Sequence, residues 1–238
     1  MRGRMKDFQR YAIYWAPEPG PLAEFGAAWL GWDAARGIDR EHPPLPGLPR
    51  NGFLRPVAEL TDTPRKYGFH GTLKPPFRLV DGATATGLHG AVERLAASLA
   101  PVTLDGLALH RLGGFLALVP TGETSALEAL AAKAVADLDP YRAALTPEAM
   151  MRRQSARLTD AQKDLLDRWG YPYVMQEFRF HLTLTGALPE EEAMALEAAL
   201  APVVAPLLPK PFVIRDICLF GEAGDGRFHI LHRYALTG

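Results

Sequence analysis

The sequence predicts a fold of mixed helices and strands made of two similar halves, and two observations support this prediction. The tetrapeptide His-Gly-Thr-Leu at residues 70–73 is matched by His-Leu-Thr-Leu at residues 181–184, and each follows a phenylalanine. After each tetrapeptide the predicted elements run in the same order: strand, helix, strand and strand. The repeat is one of pattern rather than of residue identity. A pseudo-twofold arrangement would bring the two histidine strands together where the halves meet, which is a common place for a ligand site.

The elements of the first half are predicted from runs of β-favouring residues and from apolar residues at helical spacing. Predicted strands lie at residues 10–16, 65–77, 102–109 and 115–119. Predicted helices lie at residues 22–35 and 87–99. The proline-rich residues 42–49 are predicted to form a loop. Pro75 and Pro76 cannot donate to a strand ladder, so the first histidine strand should not be a normally paired central strand.

The later elements connect the halves and then repeat the first series. Predicted helices of the connection lie at residues 124–138 and 159–169, with a partly helical stretch at residues 140–151. The second series is a strand at 177–185, a helix at 189–200 and strands at 212–220 and 227–235. We therefore expect one bilobal domain over residues 1–238. Its parts would be a first lobe core at about 60–120, a helical connection at about 124–172 and a second lobe core at about 175–238.

Composition narrows the class of protein. With 238 residues, of which 48% are hydrophobic and 22% charged, the chain is an ordinary globular protein. Its net charge of −1 argues against a general nucleic-acid binder, although a pocket can be locally basic on a neutral protein. Cys218, the one cysteine, lies in an apolar run and is expected to be a buried small hydrophobe. No signal peptide or membrane span is recognisable, so we expect a soluble cytoplasmic protein with no membrane partner.

The repeated tetrapeptides contain residues suited to phosphodiester cleavage. Side chains at i and i+2 of a strand share a face, so His70 should lie beside Thr72, and His181 beside Thr183. Two such pairs facing one another would surround a phosphate with two acid–base groups and two hydroxyl donors. A lone His-x-Thr is more often structural, but its recurrence before the same series of elements favours a shared site. No nearby carboxylate or third histidine completes a zinc site, so neither a metal nor another cofactor is predicted.

Further candidates for substrate binding flank the two motifs. Lys74 lies at i+4 from His70 and Arg179 at i−2 from His181, so either could place positive charge near the phosphate. The alternative for both is a solvated charge at the rim. Tyr11, Tyr14 and Tyr67 could stack on a base or cap the cleft, with packing in the core as the alternative for at least two of them. Arg65 and Lys66 precede the first motif, and Thr185 has the same relation to His181 as Lys74 to His70, with a weaker case.

These motifs resemble those of the 2H phosphoesterase superfamily and, within it, the DUF1045 group. The resemblance covers nearly the whole chain and is clearest at residues 10–17, 67–77 and 178–186. It implies a bilobal α+β fold in which two antiparallel sheets form a central cleft, with helices on the outside. It also implies that the cleft is lined by four residues in the catalytic positions: His70, Thr72, His181 and Thr183. Genes of the group accompany carbon–phosphorus lyase operons, which implies a cyclic ribose phosphate from phosphonate breakdown as substrate.

Three functions are compatible with these residues. The first is metal-independent hydrolysis of a small cyclic phosphodiester, in which one histidine activates water and the other protonates the leaving alkoxide. The second is a binding module for a nucleotide monophosphate, which tight binding without product would favour. The third is processing of 2′,3′-cyclic RNA ends, which the near-neutral charge disfavours. The expected partner is thus a small phosphorylated substrate, with no stable nucleic-acid partner. The substrate, the role of each histidine and the oligomeric state stay open.

Overall fold

The fold is described by a computed structural model over residues 8–44, 55–154 and 157–238. Its strands are β1 (Tyr11–Trp15), β2 (Trp32–Asp33), β3 (Ile38–Asp39), β4 (Gly71–Phe77), β5 (Val102–Leu104), β6 (Gly106–Leu112), β7 (Phe115–Thr121), β8 (Leu182–Thr183), β9 (Phe212–Ile214), β10 (Asp216–Glu222) and β11 (Phe228–Ala235). Its α-helices are α1 (Pro21–Leu30), α2 (Val57–Leu60), α3 (Asp62–Arg65), α4 (Ala85–Ala97), α5 (Ser125–Asp137), α6 (Pro147–Gln154), α7 (Asp160–Trp169) and α8 (Glu190–Val204). Most of the predicted loop at residues 42–49 lies outside the described residues.

A seven-stranded antiparallel sheet forms the centre of the molecule, in the order β11-β10-β1-β4-β8-β7-β6. It has two parts, β11-β10-β1-β4 and β8-β7-β6, which join at one paired position, Gly71 with Leu182. Helices α4, α5 and α8 pack against the sheet. The predicted α+β class with antiparallel strands is therefore confirmed. The two sheets that were predicted are joined edge to edge at the Gly71–Leu182 pair and so form one continuous sheet.

The two parts of the sheet exchange strands between the halves of the sequence. The first histidine strand, β4, pairs with β1 and so joins the hairpin β10–β11. The second, β8, pairs with β7 of the hairpin β6–β7. Strand β5 also pairs with β9 across the halves, immediately before the hairpins β6–β7 and β10–β11. The lobes are therefore not the contiguous ranges 60–120 and 175–238 that were predicted.

Two strand pairs mark the pseudo-twofold relation between the halves. Gly71 lies opposite Leu182 and Thr103 lies opposite Val213, at separations of 111 and 110 residues. When a twofold axis relates two antiparallel strands, equivalent residues oppose one another where the axis passes between them. Both pairs have this property at nearly the same separation as the histidines. The repeat in the sequence thus corresponds to a repeat in strand pairing.

Several elements are shorter than predicted. The first histidine strand was predicted over residues 65–77 but begins at Gly71, since Arg65 ends helix α3. Helix α1 ends at Leu30 rather than residue 35, because Gly31 adopts a φ of 79° and its amide donates back to the carbonyls of the last turn. The second histidine strand was predicted over residues 177–185, but only Leu182–Thr183 pairs regularly. His181 therefore lies just before a very short strand.

The prolines of β4 are accommodated by irregular pairing. Pro75 and Pro76 lie within the strand, although the sequence argued against normal pairing there. Strand β8 pairs with β4 at Gly71 alone, so the prolines need no partner on that side. The β1–β4 register shifts between Tyr11 and Ile13, which accommodates the missing amide hydrogens on the other side.

The helices of the connection match the sequence prediction closely. Helix α5 covers the alanine-rich residues 124–138 almost completely. Helix α7 begins with a capping box, in which the hydroxyl of Thr159 accepts from the amide of Gln162. It ends at Gly170, which adopts the left-handed conformation.

The two faces of strand β1 are buried in different clusters. Tyr11, Ile13 and Trp15 point to the larger core beneath the helices. The alternate residues, Tyr14 among them, point to a second cluster that contains Cys218, Phe220 and Phe228. Cys218 is fully buried as predicted, and burial raises the pKa of its thiol to about 12. Among the described residues, no helix has the length and apolar character needed to cross a bilayer.

Candidate active site

The Gly71–Leu182 pair brings the two histidine motifs together. One residue along this antiparallel register, His70 comes opposite Thr183, and Thr72 opposite His181. Side chains alternate along a strand, so all four lie on the face away from the side chain of Leu182. Directly opposed residues in such a pair have Cβ atoms about 5 Å apart. The structure thus gathers these four side chains on one patch, while their catalytic role stays a prediction.

The reverse face is apolar, as the sequence predicted. Phe69, Leu73, Phe180 and Leu184 are all buried there. Gly71 faces the ring of Phe180, and a Cβ atom at this position would overlap that ring. The glycine of the first motif is therefore needed because an aromatic ring from the second motif occupies the space of its side chain.

Each imidazole is held by the carbonyl group two residues before it. Nδ1 of His70 donates to the oxygen of Gly68 at 2.9 Å, and Nδ1 of His181 donates to the oxygen of Arg179 at 2.8 Å. A carbonyl oxygen can only accept, so Nδ1 carries the hydrogen in both rings. The Nε2 atom of each neutral ring therefore has a free lone pair and can accept a proton.

Burial keeps both imidazoles neutral near pH 7. Burial, and secondly the charge of His181, lower the pKa of His70 to about 4, although its hydrogen bond to Gly68 opposes this shift. Burial also lowers the pKa of His181. The ring of Tyr14 stacks on His70 with centroids 3.8 Å apart, and Nε2 of His70 lies 3.2 Å from the hydroxyl of Thr72. Because a charge on His181 lowers the pKa of His70, the two imidazoles titrate as a coupled pair.

Two of the predicted substrate-binding side chains have other positions or partners. Tyr11 is 4% exposed and lies in the core on the opposite face of β1 from Tyr14, so its proposed stacking role is wrong. Lys74 is buried, and its Nζ donates to the oxygen of Val135 at 2.9 Å and lies 3.7 Å from Asp139. Burial lowers the pKa of Lys74 to about 8. Its ammonium group is thus already engaged by the protein.

The other candidates divide between the site and the scaffold. The ring of Tyr67 lies 6.1 Å from that of His70, near the patch. The side chain of Arg179 is exposed, and its carbonyl oxygen is what contacts His181. Arg65 donates to the oxygens of Leu30 and Ala58 and so links α1 to α2. The weaker candidate Thr185 is buried and accepts from the amide of Leu116.

A basic cavity of about 530 Å³ lies beside the histidine patch and was not predicted. Tyr67 and Lys74 form part of its wall, together with Arg10 and Arg153. The four motif residues do not line this cavity, and Tyr67 of its wall has its ring centroid 6.1 Å from that of His70. Its basic residues come from distant segments of the chain and share no motif, so no sequence pattern indicates that they lie together. The strongest signal was the Arg152–Arg153 pair in the helical connection. Over the described ranges, no group of three or more histidine, cysteine, aspartate and glutamate side chains is arranged to hold a metal ion.

Comparison with known proteins shows a match to one protein family and similarity to two longer proteins. The model of the family described as "Protein of unknown function (DUF1045)" matches residues 72–229, a span that contains Thr72, His181 and Thr183. A protein of Janthinobacterium sp. (strain Marseille) named ribose 1,5-bisphosphate phosphokinase PhnN is 37% identical over 194 residues, covering 81% of this chain and 42% of that protein. A protein of the same name from Laribacter hongkongensis (strain HLHK9) is 35% identical over 218 residues, covering 91% of this chain and 49% of that protein. The chain thus spans less than half the length of these curated relatives.

Two solved structures have a similar fold with low sequence identity. One, described as a phosphoesterase, has a TM-score of 0.41 and 17% identity, covering 97% of this chain and 99% of that chain. The other, E. coli LigT complexed with NADP+, has a TM-score of 0.42 and 18% identity, covering 98% of this chain and 99% of that chain. Because the family model matches from Thr72 to His229, the chain belongs to the DUF1045 family.

Proposed function

We propose that this protein is a metal-independent phosphoesterase that hydrolyses a small cyclic phosphodiester. The proposal is supported most directly by the Gly71–Leu182 pair, since its register gathers two imidazoles and two hydroxyl groups on one face. Both imidazoles offer Nε2 to that face because Nδ1 is engaged by a carbonyl group. Two acid–base groups and two neutral donors are what hydrolysis of a phosphodiester requires in the absence of a metal.

In this proposal His70 is the general base and His181 the general acid. Burial lowers the pKa of both imidazoles, that of His70 to about 4, and the charge of His181 further disfavours a proton on His70, so we assign the proton of the coupled pair to His181. The pair then holds one neutral and one protonated ring, and the negative charge of a bound phosphate favours this state. His70 Nε2 takes a proton from water as the water oxygen bonds to phosphorus. His181 Nε2 gives its proton to the leaving alkoxide as the ring P–O bond breaks, which yields a phosphomonoester.

The two threonines stabilise the charge that develops on the phosphate. The hydroxyl of Thr72 lies 3.2 Å from Nε2 of His70, so it is close to the reacting atoms. With substrate bound, it turns to a non-bridging oxygen and leaves Nε2 to the attacking water. Thr183 takes the corresponding position on the second strand. Neutral donors fixed at such positions act where charge increases in the transition state.

The name of the curated relatives suggests a class of substrate to test. It does not support a kinase activity for this chain. A P-loop kinase holds its nucleotide with a G-x-x-x-x-G-K-[S/T] sequence, and no lysine among these 238 residues is followed by serine or threonine. The relatives are named for a phosphorylated ribose. Cyclic ribose phosphates therefore belong among the substrates to be tested.

A screen of cyclic phosphodiesters in the presence of EDTA tests the proposed function. The panel contains ribose 1,2-cyclic phosphate, nucleoside 2′,3′-cyclic phosphates and a short RNA with a 2′,3′-cyclic end, with the variant H70A/H181A as blank. We expect a phosphomonoester product from a small substrate with the wild-type protein and none with the blank. The proposal is wrong if no substrate is opened or if the blank is equally active. Tight AMP binding without any turnover would instead identify a binding module.

The pH dependence of kcat/KM should be bell-shaped with its maximum on the acid side of neutrality. Activity requires neutral His70, so it rises with pH through the pKa of about 4. It also requires protonated His181, so it falls as pH rises through a pKa that burial has lowered below 6.5. Initial rates at low substrate concentration between pH 3.5 and 9, with stability checked at each pH, measure the profile. A flat profile would contradict the assignment of both histidines.

A further inference from the structure

We propose that the basic cavity beside the histidine patch binds a second phosphate group, so that the substrate carries a phosphomonoester as well as the cyclic phosphodiester. This inference rests on the proposed function for the position of the bond that is cleaved. The phosphomonoester site itself is argued from the cavity alone. Its existence can therefore be tested by binding, without any turnover.

The cavity is within reach of a small molecule held by the histidines. Lys74, two positions after Thr72 on β4, lines the cavity. Tyr67 also lines the cavity, and its ring centroid is 6.1 Å from that of His70. A single sugar ring with phosphates at both ends covers such a distance. The volume of about 530 Å³ is in the range of small-molecule sites.

The wall of the cavity has a strong excess of positive charge. Among the residues that the structure describes, seven arginines and lysines line it, against the two carboxylates of Glu148 and Glu222. The protein as a whole has a net charge of −1, so this excess is local. A concave site lined by one sign of charge attracts ligands of the opposite sign.

Some of these charges are neutralised within the protein and others are not. Arg10 forms a two-point ion pair with Glu222, and Arg142 pairs with Asp139. No ion pair within residues 8–44, 55–154 and 157–238 joins Arg153 to a carboxylate. Its guanidinium is nevertheless partly buried and close enough to Arg10, Arg142 and Arg152 to be repelled by them.

Arg153 is held in place by neutral groups. Its Nη1 donates to the carbonyl oxygen of Gly170, and its guanidinium carbon lies 5.4 Å from the centroid of the Tyr171 ring. A desolvated cation among other cations is unfavourable unless an anion compensates it. Phosphate fits this requirement because the arginine fork binds its oxygens in pairs. Trp169, Tyr171 and Val174 also line the cavity, so part of its wall is apolar.

Calorimetric titration with ribose 5-phosphate tests the second site, with ribose as the uncharged probe. We expect R153M to raise the Kd of ribose 5-phosphate by about 10- to 100-fold, which corresponds to the loss of one charge-assisted interaction. R94M removes the same charge from an exposed position of α4 outside the cavity and should leave the Kd unchanged. H70A/H181A should also retain binding, which distinguishes the cavity from the histidine patch. K66M, an exposed change in the cavity wall, should weaken binding to a smaller extent and provides a second test if R153M does not fold.

The outcomes separate this inference from the proposed function. It is overturned if ribose 5-phosphate binds no more tightly than ribose, or if neither R153M nor K66M weakens binding. If phosphate binding behaves as expected but no cyclic phosphodiester is opened, the proposed function fails and the anion site stands. If both stand, R153M should raise the KM for a cyclic phosphodiester that bears a terminal phosphate and leave that of the unphosphorylated analogue unchanged.

Discussion

Replacing His70 by alanine should lower kcat by about 10²- to 10⁴-fold for a substrate with an alkoxide leaving group. The same loss is expected for H181A, since removal of either proton-transfer group leaves the other to act alone. The two variants should differ on a substrate with a good leaving group, such as a 4-nitrophenyl phosphodiester. A nitrophenolate needs no proton to depart, so H181A should recover much of its rate. H70A should stay slow, because water still has to be deprotonated.

Steady-state kinetics of both variants on the two kinds of substrate make this comparison. H232A is a suitable control, because His232 is an exposed residue of β11, at the outer edge of the sheet. It should match the wild-type protein on both substrates. Recovery by H70A instead of H181A would reverse the two roles, and equal loss on both substrates in both variants would contradict the division into base and acid.

Replacing Gly71 by alanine should destabilise the protein by about 1–3 kcal/mol and lower activity as well. The added Cβ atom would overlap the ring of Phe180, which is confined by its neighbours Trp15 and Phe212. Either the ring or β4 must move. Because Gly71 is the one residue of β4 paired with β8, movement there also separates the two histidine motifs.

Urea unfolding of G71A, F180L and the double variant measures this effect. Leucine at position 180 is smaller than phenylalanine and should make room for the new methyl group. G71A should therefore lower the free energy of unfolding by less in the F180L background than in the wild-type protein. G114A is a matched control, because no atom lies within 4 Å of a Cβ atom at this exposed turn position. It should unfold at the wild-type midpoint. A G71A variant with both wild-type stability and wild-type activity would contradict the importance of this contact.

The sequence predicted the two motifs well because they depend on local rules. Alternation along a strand is enough to put His70 and Thr72 on one face and the phenylalanines on the other. The same rule, applied to β1, separates Tyr14 at the site from Tyr11 in the core, and its use there would have corrected the choice of Tyr11.

The features that the sequence did not predict depend on long-range pairing. Lys74 was expected on the face of Thr72, but the irregular β1–β4 register places it opposite Ile13. Its ammonium is bound by Val135 and Asp139, which lie 61 and 65 residues away along the chain. The basic cavity likewise combines residues from β4, α6 and the segment before β1. The exchange of strands between lobes follows from the β5–β9 pair, whose register no local pattern specifies. Periodicity predicts which face a residue occupies, but it does not identify the strand or side chain that will oppose it.

The exchange of hairpins also affects how the molecule can form. Strand β4 and its histidine lie in a part of the sheet that is completed by β10 and β11, near residue 235. During synthesis, the strands that complete the sheet around His70 are therefore translated more than a hundred codons after it. A break in the covalent chain between α4 and α5 would leave neither fragment with a full set of neighbouring strands. Folding of this topology thus requires distant segments to pair, and we expect it to be slow relative to that of helical proteins of the same size.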